Sequence, residues 1–400
     1  MMWDRFYRLN PGVQAYPWGA RRHGDELPYI AQLLSRAPDD DQPYAELWVG
    51  AHPALPCTFS VAGREWKLND AIAEFPEEIL GSRLVDAGLR SLPLLLKILD
   101  CEAPLSIQAH PNRALARTLH QRHPDHYPDA NHKPEVAIAL TPFKALCRFR
   151  ERAQIQGDLS RHAALSTLFS EQLDDVAEPR WLRRAYRRLF GADSTEIGNA
   201  LKTLTDTLAA SQSPSPEDRC FSDLARHYPG DRGALCAYFL NTVELAPGEA
   251  IFLAPDEPHA YLHGTIIECM ANSNNVVRAG LTPKFMDVPV LLEMLTYEEG
   301  LPRIWRGGAL PGGGRCFEVP VPDFAVELWE GDAGDEFSPA SDGTVSLLLV
   351  LDGTASLRAP GQEPVSATRG SCWLWPGALA DCRVAMQTEH VRVVRARPGT

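Results

Sequence analysis

The chain has 400 residues, of which 44% are hydrophobic and 23% are charged, and its formal net charge at pH 7 is -13. This length exceeds one ordinary domain, and the apolar fraction suffices for a substantial core, so we expect two or three packed units. Because 52 acidic residues outnumber 39 basic ones, the composition argues against proteins that bind nucleic acid or anionic membranes through their charge.

Three further features bear on the compartment. The nine cysteines include no C-x-x-C pair, which argues against a disulfide framework and against a thiolate zinc site. The first residues lack the basic and apolar regions of a signal peptide. The most apolar run, residues 92–99, is far shorter than the roughly 20 residues that span a bilayer. We therefore expect a soluble cytoplasmic protein, and the acidic composition permits a monomer.

The predicted elements change in character along the chain. Short apolar stretches separated by Pro, Gly and polar residues predict strands over residues 44–140. A helical insertion is predicted over about residues 151–226, where Asp193 and Glu196 fit a capping box in front of apolar residues at helical spacing. Strand patterns then return and continue beyond the glycine-rich residues 307–314. The sequence therefore predicts a mainly β fold with an α-helical insertion.

A weak repeat connects the two β regions. Residues 248–255 and 370–376 both resemble the glycine, strand and proline turn that recurs in cupin jelly rolls. Four residues beyond each proline lie His259 in the first copy and Ala380 in the second. No histidine occurs between His263 and His390, so metal chemistry belongs to the earlier part of the chain.

Several polar residues near strand ends are candidate metal ligands. On a strand, Gln108 and His110 would lie on the same face, although a hydrogen-bonded histidine at a strand end is the simpler interpretation. Glu135 and His259 would complete a four-ligand set that suits zinc or another divalent first-row ion. From the residues alone, three other histidines compete with this set: His52, His132 and His263.

The polar stretch from Glu268 to Lys284 is a candidate phosphate site. Arg278 could bind a phosphate bidentately, and Lys284 would add a point charge. An ordinary polar loop with a salt bridge is the alternative. Lysine is rare in this chain, with only six residues, which draws attention to Lys97 and Lys133 as well.

Together, these stretches resemble type I mannose-6-phosphate isomerase, the zinc-dependent phosphomannose isomerase family of the cupin superfamily. Five segments in the family's order carry the resemblance: residues 44–53, 105–111, 131–135, 258–261 and 275–284. The resemblance covers roughly residues 1–300, and the remainder only by architecture.

The resemblance implies a cupin-type jelly-roll catalytic core, residues 1–150 with 227–302, an inserted helical domain, residues 151–226, and a second, metal-free C-terminal jelly roll, residues 303–400. It implies one Zn²⁺ per chain, held by four ligands: Gln108, His110, Glu135 and His259. It also implies Arg278 as the catalytic arginine, and three residues around the sugar phosphate: Ser106, Lys133 and Lys284. For Lys97, a structural role and a catalytic role are equally open.

The expected reaction interconverts D-mannose 6-phosphate and D-fructose 6-phosphate through a cis-enediol. We expect Glu268 to act as the base, with Asp287 as the second candidate. Two alternatives from other classes are an iron-dependent cupin oxygenase on the same ligands and a non-catalytic sugar-binding cupin. The intact ligand set and Arg278 argue against the second of these.

Overall fold

The structure is a computed structural model, and it describes residues 3–37, 42–61, 63–174, 180–310, 313–339 and 342–399. Strands and short helices alternate in the first part of the chain: β1 (Tyr7–Leu9), β2 (Gly12–Gln14), α1 (Tyr29–Leu33), β3 (Glu46–Gly50), β4 (Thr58–Val61), β5 (Arg64–Lys67), α2 (Leu68–Glu74), α3 (Pro76–Leu80), α4 (Ser82–Asp86), β6 (Leu94–Cys101), β7 (Gln108–Ala109), α5 (Arg113–Arg122), β8 (Glu135–Ala139) and β9 (Phe143–Phe149).

Helices then replace strands, as the sequence predicts for this segment: α6 (Arg152–Arg161), α7 (Ala163–Leu168), α8 (Ser170–Asp174), α9 (Trp181–Gly191), α10 (Ser194–Ala209) and α11 (Pro216–His227). The predicted capping box is present at the start of α10. The Thr195 N–H donates to the Asp193 side chain, while the Glu196 side chain accepts from the Asp193 N–H. Apolar side chains of α9, among them Trp181 and Tyr186, pack against Phe149 of β9 in one core.

Strands resume after a 3₁₀ helix (Arg232–Tyr238). They are interrupted by one further helix: β10 (Leu240–Leu245), β11 (Ala250–Leu253), β12 (His259–Ala271), β13 (Val277–Arg278), α12 (Val288–Met294) and β14 (Ile304–Trp305). The described residues after Trp305 contain only strands and loops: β15 (Gly308–Ala309), β16 (Arg315–Phe317), β17 (Ala325–Gly331), β18 (Glu336–Phe337), β19 (Ser346–Asp352), β20 (Thr354–Arg358), β21 (Val365–Thr368), β22 (Cys372–Trp375), β23 (Arg383–Met386) and β24 (Val391–Arg397). Within the predicted glycine-rich link, residues 311–312, including Gly312, lie outside the described residues.

The long strand β12 organises the first β unit, whose sheet has the order β14-β11-β8-β12-β6-β3-β2. The first residues of β12 pair with β7 and β9, whereas its last residues pair with β6 and β8. All four pairings are antiparallel. Because β12 takes part in both sets of pairings, it connects two layers of strands. Residues at its start and residues near its end can therefore contribute to one site between these layers.

The second β unit has a seven-stranded sheet with the order β1-β22-β19-β24-β17-β16-β15 and a four-stranded sheet with the order β18-β23-β20-β21. The N-terminal strand β1 pairs with β22 and so lies in the sheet of this unit. Leu47 and Ile98 of the first unit share one buried core with Leu347 and Val394 of the second. The two β units are thus packed together. The domain boundaries given above stay a prediction.

No helix in the described ranges combines the length and the hydropathy needed to cross a bilayer.

Candidate active site

Three buried side chains from separate parts of the chain converge on one site beside β12. His259 is its first residue and lies opposite Gln108 of β7, while His110 follows β7 and Glu135 begins β8. The Nε2 atom of His110 lies 3.4 Å from Oε1 of Glu135, and Nε2 of His259 lies 3.4 Å from Oε2. The candidate ligand atoms of the three residues all lie within 4.8 Å of one another.

The chemistry of this cluster fits a bound metal ion. Oε2 of Glu135 and Nε2 of His259 are buried and have no hydrogen-bond partner among the described residues. Leaving such polar atoms unsatisfied is costly, and a cation between them would satisfy both. Ligands about 2.0–2.1 Å from a tetrahedral ion lie about 3.4 Å apart. The separation between Nε2 of His259 and Oε2 of Glu135, the two unsatisfied atoms, agrees with that value.

Backbone carbonyl groups orient both imidazoles. Nδ1–H of His110 donates to the carbonyl oxygen of Asn275 at 2.7 Å, and Nδ1–H of His259 donates to that of Glu257 at 3.2 Å. These bonds leave the Nε2 lone pairs directed at the cluster, as metal ligation requires. Burial and the ammonium of Lys133 lower the pKa of His110 to about 4, so that its imidazole is neutral at pH 7.

Glu135 is the carboxylate of the cluster, and Lys133 contacts it. Nζ of Lys133 lies 2.6 Å from Oε1 of Glu135 and 3.4 Å from Nε2 of His110. Burial opposes ionisation, but Lys133 and His110 together hold the pKa of Glu135 well below its usual range. The carboxylate is therefore ionised and able to bind a cation.

A cavity of roughly 610 Å³ adjoins this cluster. Six of the residues predicted from the sequence line it: Ser106, Gln108, Lys133, Glu268, Arg278 and Lys284. Gln108 lies opposite both His259 and Arg278 in the antiparallel pairing, and it lines the cavity. Its role as a fourth ligand stays a prediction.

The cavity has a cationic wall. Arg278 is half-buried, and its guanidinium has no ion-pair partner within the described ranges. Burial lowers the pKa of this guanidinium. Lys284 is exposed at the cavity, with its Nζ atom 6.0 Å from the centre of the Tyr16 ring. An unpaired guanidinium and an ammonium suit a phosphate ester or developing negative charge.

The two candidate bases occupy different surroundings. Glu268 lines the cavity, and its pKa is raised by burial and by the neighbouring carboxylate of Glu135. Asp287 lies outside the cavity lining and accepts hydrogen bonds from the Tyr127 hydroxyl, at 3.0 Å, and from the Val290 N–H. Its carboxylate is thus engaged in holding Tyr127 and in capping α12. This geometry favours Glu268.

The three competing histidines lie outside the cluster. His52 accepts from the Ala54 N–H and packs its ring edge-on against Trp48. His132 contacts Asp323 of the second β unit at 2.9 Å, and His263 is exposed on β12. The structure therefore distinguishes between histidines that the residue pattern alone left equivalent.

The sequence pattern missed part of the cavity wall. Lys97 lies between two carboxylates, 3.3 Å from Glu46 and 3.2 Å from Glu268, and all three line the cavity. The rarity of lysine and the apolar run around it drew attention to Lys97, but no local signal indicated its contacts with Glu46 and Glu268. Tyr16 and Trp18 near the N-terminus also contribute.

The last residue of α11 and the residue after it also reach the cavity. His227 and Tyr228 line it, and the Tyr228 hydroxyl donates to the carbonyl oxygen of Pro104 at 2.6 Å. No sequence signal pointed to these two residues.

Comparisons with known proteins agree with this site. The family described as phosphomannose isomerase type I, catalytic domain, matches residues 6–152. Mannose-6-phosphate isomerases from Macaca fascicularis and Homo sapiens are each 38% identical over 397 residues, covering 92% of this chain and 92% of each relative. A zinc-bound crystal structure of mannose 6-phosphate isomerase superposes with a TM-score of 0.85 at 31% identity, covering 99% of this chain and all of the other. A variant of phosphomannose isomerase from Salmonella typhimurium gives the same values. These matches confirm the predicted fold class, and the chain belongs to the type I mannose-6-phosphate isomerase family.

Proposed function

We propose that this chain interconverts D-mannose 6-phosphate and D-fructose 6-phosphate and uses one zinc ion. The observation that carries the proposal is the buried His110–Glu135–His259 cluster beside a cavity whose wall holds the guanidinium of Arg278. Family membership supplies the substrate, and the unsatisfied ligand atoms support the metal. The expectation of an isomerase from the sequence is thereby confirmed.

Four residues would hold the zinc ion: Gln108, His110, Glu135 and His259. When bound, zinc supplies a Lewis acid that stabilises negative charge on the oxygens of the reacting carbons. The ligand set contains a single carboxylate and no thiolate, which leaves the site with a net positive charge.

The basic residues of the cavity bind and orient the sugar phosphate. Lys284 and Ser106 are the proposed phosphate contacts, and Lys133 connects the substrate side of the cavity to Glu135. Arg278 offsets the negative charge that develops when a proton leaves C2. Holding the open-chain sugar in one orientation also lowers the entropic part of the barrier.

Proton transfer is assigned to Glu268. Its carboxylate takes the proton from C2 of the open-chain aldose, which leaves the enediolate of a cis-enediol with its negative charge on O1. The hydroxyl proton of O2 passes to O1, and Glu268 then returns its proton to C1, which completes the ketose. A raised pKa makes it a stronger base than an ordinary carboxylate, and its place in the cavity wall supports the assignment over Asp287.

A coupled assay that detects fructose 6-phosphate formed from mannose 6-phosphate tests the proposal. The isomerase should turn over without consuming oxygen, so an oxygen electrode should record no change during the reaction. Oxygen consumption that depends on ferrous iron would instead support a cupin oxygenase. Binding of mannose 6-phosphate without any product would support a sugar-binding protein and contradict the proposed reaction.

The cellular setting belongs to the same proposal. All nine cysteines are unpaired and buried in the structure, which supports a reducing compartment and a cytoplasmic location. A monomer remains the expected state, and nucleic acid is not an expected partner. Sedimentation velocity tests the monomeric state and should give a species near 44.2 kDa.

A further inference from the structure

Asp129 is the centre of a hydrogen-bond network that the proposed reaction does not use. Its carboxylate accepts from the Asn131 N–H at 3.0 Å, the Ser273 hydroxyl at 2.8 Å, the Asn274 N–H at 2.8 Å and the Asn275 side-chain amide at 3.0 Å. All four donors are neutral. The carboxylate thus joins two loops, one ahead of Glu135 and the other between β12 and β13.

Asn275 connects this network to the metal cluster. Its backbone carbonyl accepts the Nδ1–H of His110 at 2.7 Å. Its side-chain amide is fully buried and also donates to the carbonyl oxygens of Asp129, at 2.7 Å, and Asn131, at 2.9 Å. The position of the carbonyl that orients His110 therefore depends on anchors contributed by the other loop.

We propose that Asp129 is a positioning residue for the metal: by holding Asn275, it fixes the orientation of His110 and thereby the rate at which zinc is lost. The inference rests on the zinc site of the proposed function. Asp129 makes no contact with the ligand atoms themselves, so its effect passes through the hydrogen bond from His110 to Asn275. This bond selects the tautomer of His110 that presents a lone pair at Nε2.

A matched set of variants tests the inference. Asp129→Asn keeps the size of the side chain but turns an amide NH₂ toward groups that donate hydrogen bonds. Asn275→Ala removes the anchoring amide and keeps the backbone carbonyl. Asp125→Asn, on the exposed part of the same segment, is the control. The primary readout is the rate at which the zinc-loaded protein releases zinc to an excess of a coloured chelator.

We expect Asp129→Asn and Asn275→Ala each to release zinc several-fold faster, up to about tenfold. Complete loss of a partner behind a metal-bound histidine costs about 10–100-fold in affinity, and these variants displace the Asn275 carbonyl without removing it. The double variant should release zinc no faster than the faster single variant, because both changes act on the same bond. Cobalt-substituted protein should show a shifted visible absorption spectrum in both variants and an unchanged one in Asp125→Asn.

Release within twofold of the unaltered protein in both single variants would overturn the inference, as would effects that multiply in the double variant. If the two stronger variants fail to fold, Ser273→Ala replaces them, because it removes only one hydroxyl from the network. Zinc release within twofold of the unaltered protein in Ser273→Ala would then overturn the inference. Failure of the proposed function gives a different result: the unaltered protein itself would then hold no zinc.

Discussion

The Nζ atom of Lys97 on β6 lies 3.2 Å from Oε2 of Glu268, its direct cross-strand partner on β12. Glu46 of β3 contacts the same ammonium at 3.3 Å, and its own carboxylate accepts a hydrogen bond from the Trp48 indole at 2.5 Å. One buried cation thus lies between two buried carboxylates beside the cavity. Burial opposes its charge, but Glu46 and Glu268 raise the pKa of Lys97 and keep it protonated.

Replacement of Lys97 by methionine should destabilise the fold. The change leaves Glu46 and Glu268 buried without their counter-charge, and removing one member of a buried pair costs about 3–5 kcal/mol. Urea unfolding at pH 7 measures this loss. Lys202→Met removes an exposed, solvent-screened pair with Asp206 and should leave the free energy of unfolding nearly unchanged. An equally small change in Lys97→Met would show that the pair does not stabilise the folded state.

Replacement of Arg278 by alanine should lower kcat by about 10²–10³-fold, because a cavity donor that meets developing negative charge is lost. Zinc content, measured by atomic absorption, should stay at one ion per chain, since Arg278 makes no contact with the metal cluster. Arg117→Ala, on the exposed face of α5, should leave both quantities unchanged. Near-normal turnover in Arg278→Ala would refute the catalytic role.

Asp323 should contribute to the attachment of the second β unit. Its carboxylate accepts hydrogen bonds at 2.9 Å from Arg113 and from His132, both in the first unit. We expect Asp323→Ala to lower the free energy of unfolding by about 1–3 kcal/mol, an amount limited by the partial exposure of Arg113. The exposed Glu363→Ala, in the same unit, is the control for this denaturation experiment. A loss no greater than that of the control would show that the contact contributes nothing.

Acid should weaken the helical insertion through Asp218. Burial raises the pKa of this carboxyl group, but hydrogen bonds from the Ser215 N–H, the Tyr238 hydroxyl and His162 outweigh burial and lower it. A lowered pKa in the folded state gives stability that is present above the unfolded value, about 3.9, and is lost as the pH falls through the folded value.

Urea unfolding between pH 7 and pH 3 therefore tests Asp218→Asn. The difference in free energy of unfolding between the unaltered protein and this variant should be largest near neutral pH and should shrink with acidification. Asp223→Asn, at a partly exposed position of the same helix, is the control substitution. A constant difference for Asp218→Asn would show that its ionisation does not stabilise the fold.

Local patterns predicted the parts of the fold that depend on neighbouring residues. The capping box of Asp193 and Glu196 begins α10, as expected. The pairing of β1 with β22 had no local signal, because it joins the two ends of the chain and depends on tertiary packing. Strand register is likewise a long-range property.

In the candidate site, too, local patterns indicated single residues, whereas the contacts between them depend on tertiary packing. His110 and His259 were recognised as possible ligands, but their choice over His52 needed the resemblance to a known family. In the structure, the pairing of β12 with β7 and β8 brings both histidines to Glu135, whereas His52 lies elsewhere. The link from Lys97 to Glu46 was missed for the same reason, since the two residues meet only across paired strands.

The most direct test of the central claim is the rate of fructose 6-phosphate formation from mannose 6-phosphate, measured before chelation, after chelation, and after zinc is restored. We expect chelation to abolish the activity and one equivalent of zinc per chain to restore it, with Glu135→Gln giving no recovery. Turnover that persists in protein shown by atomic absorption to be free of metal would contradict the zinc-dependent mechanism.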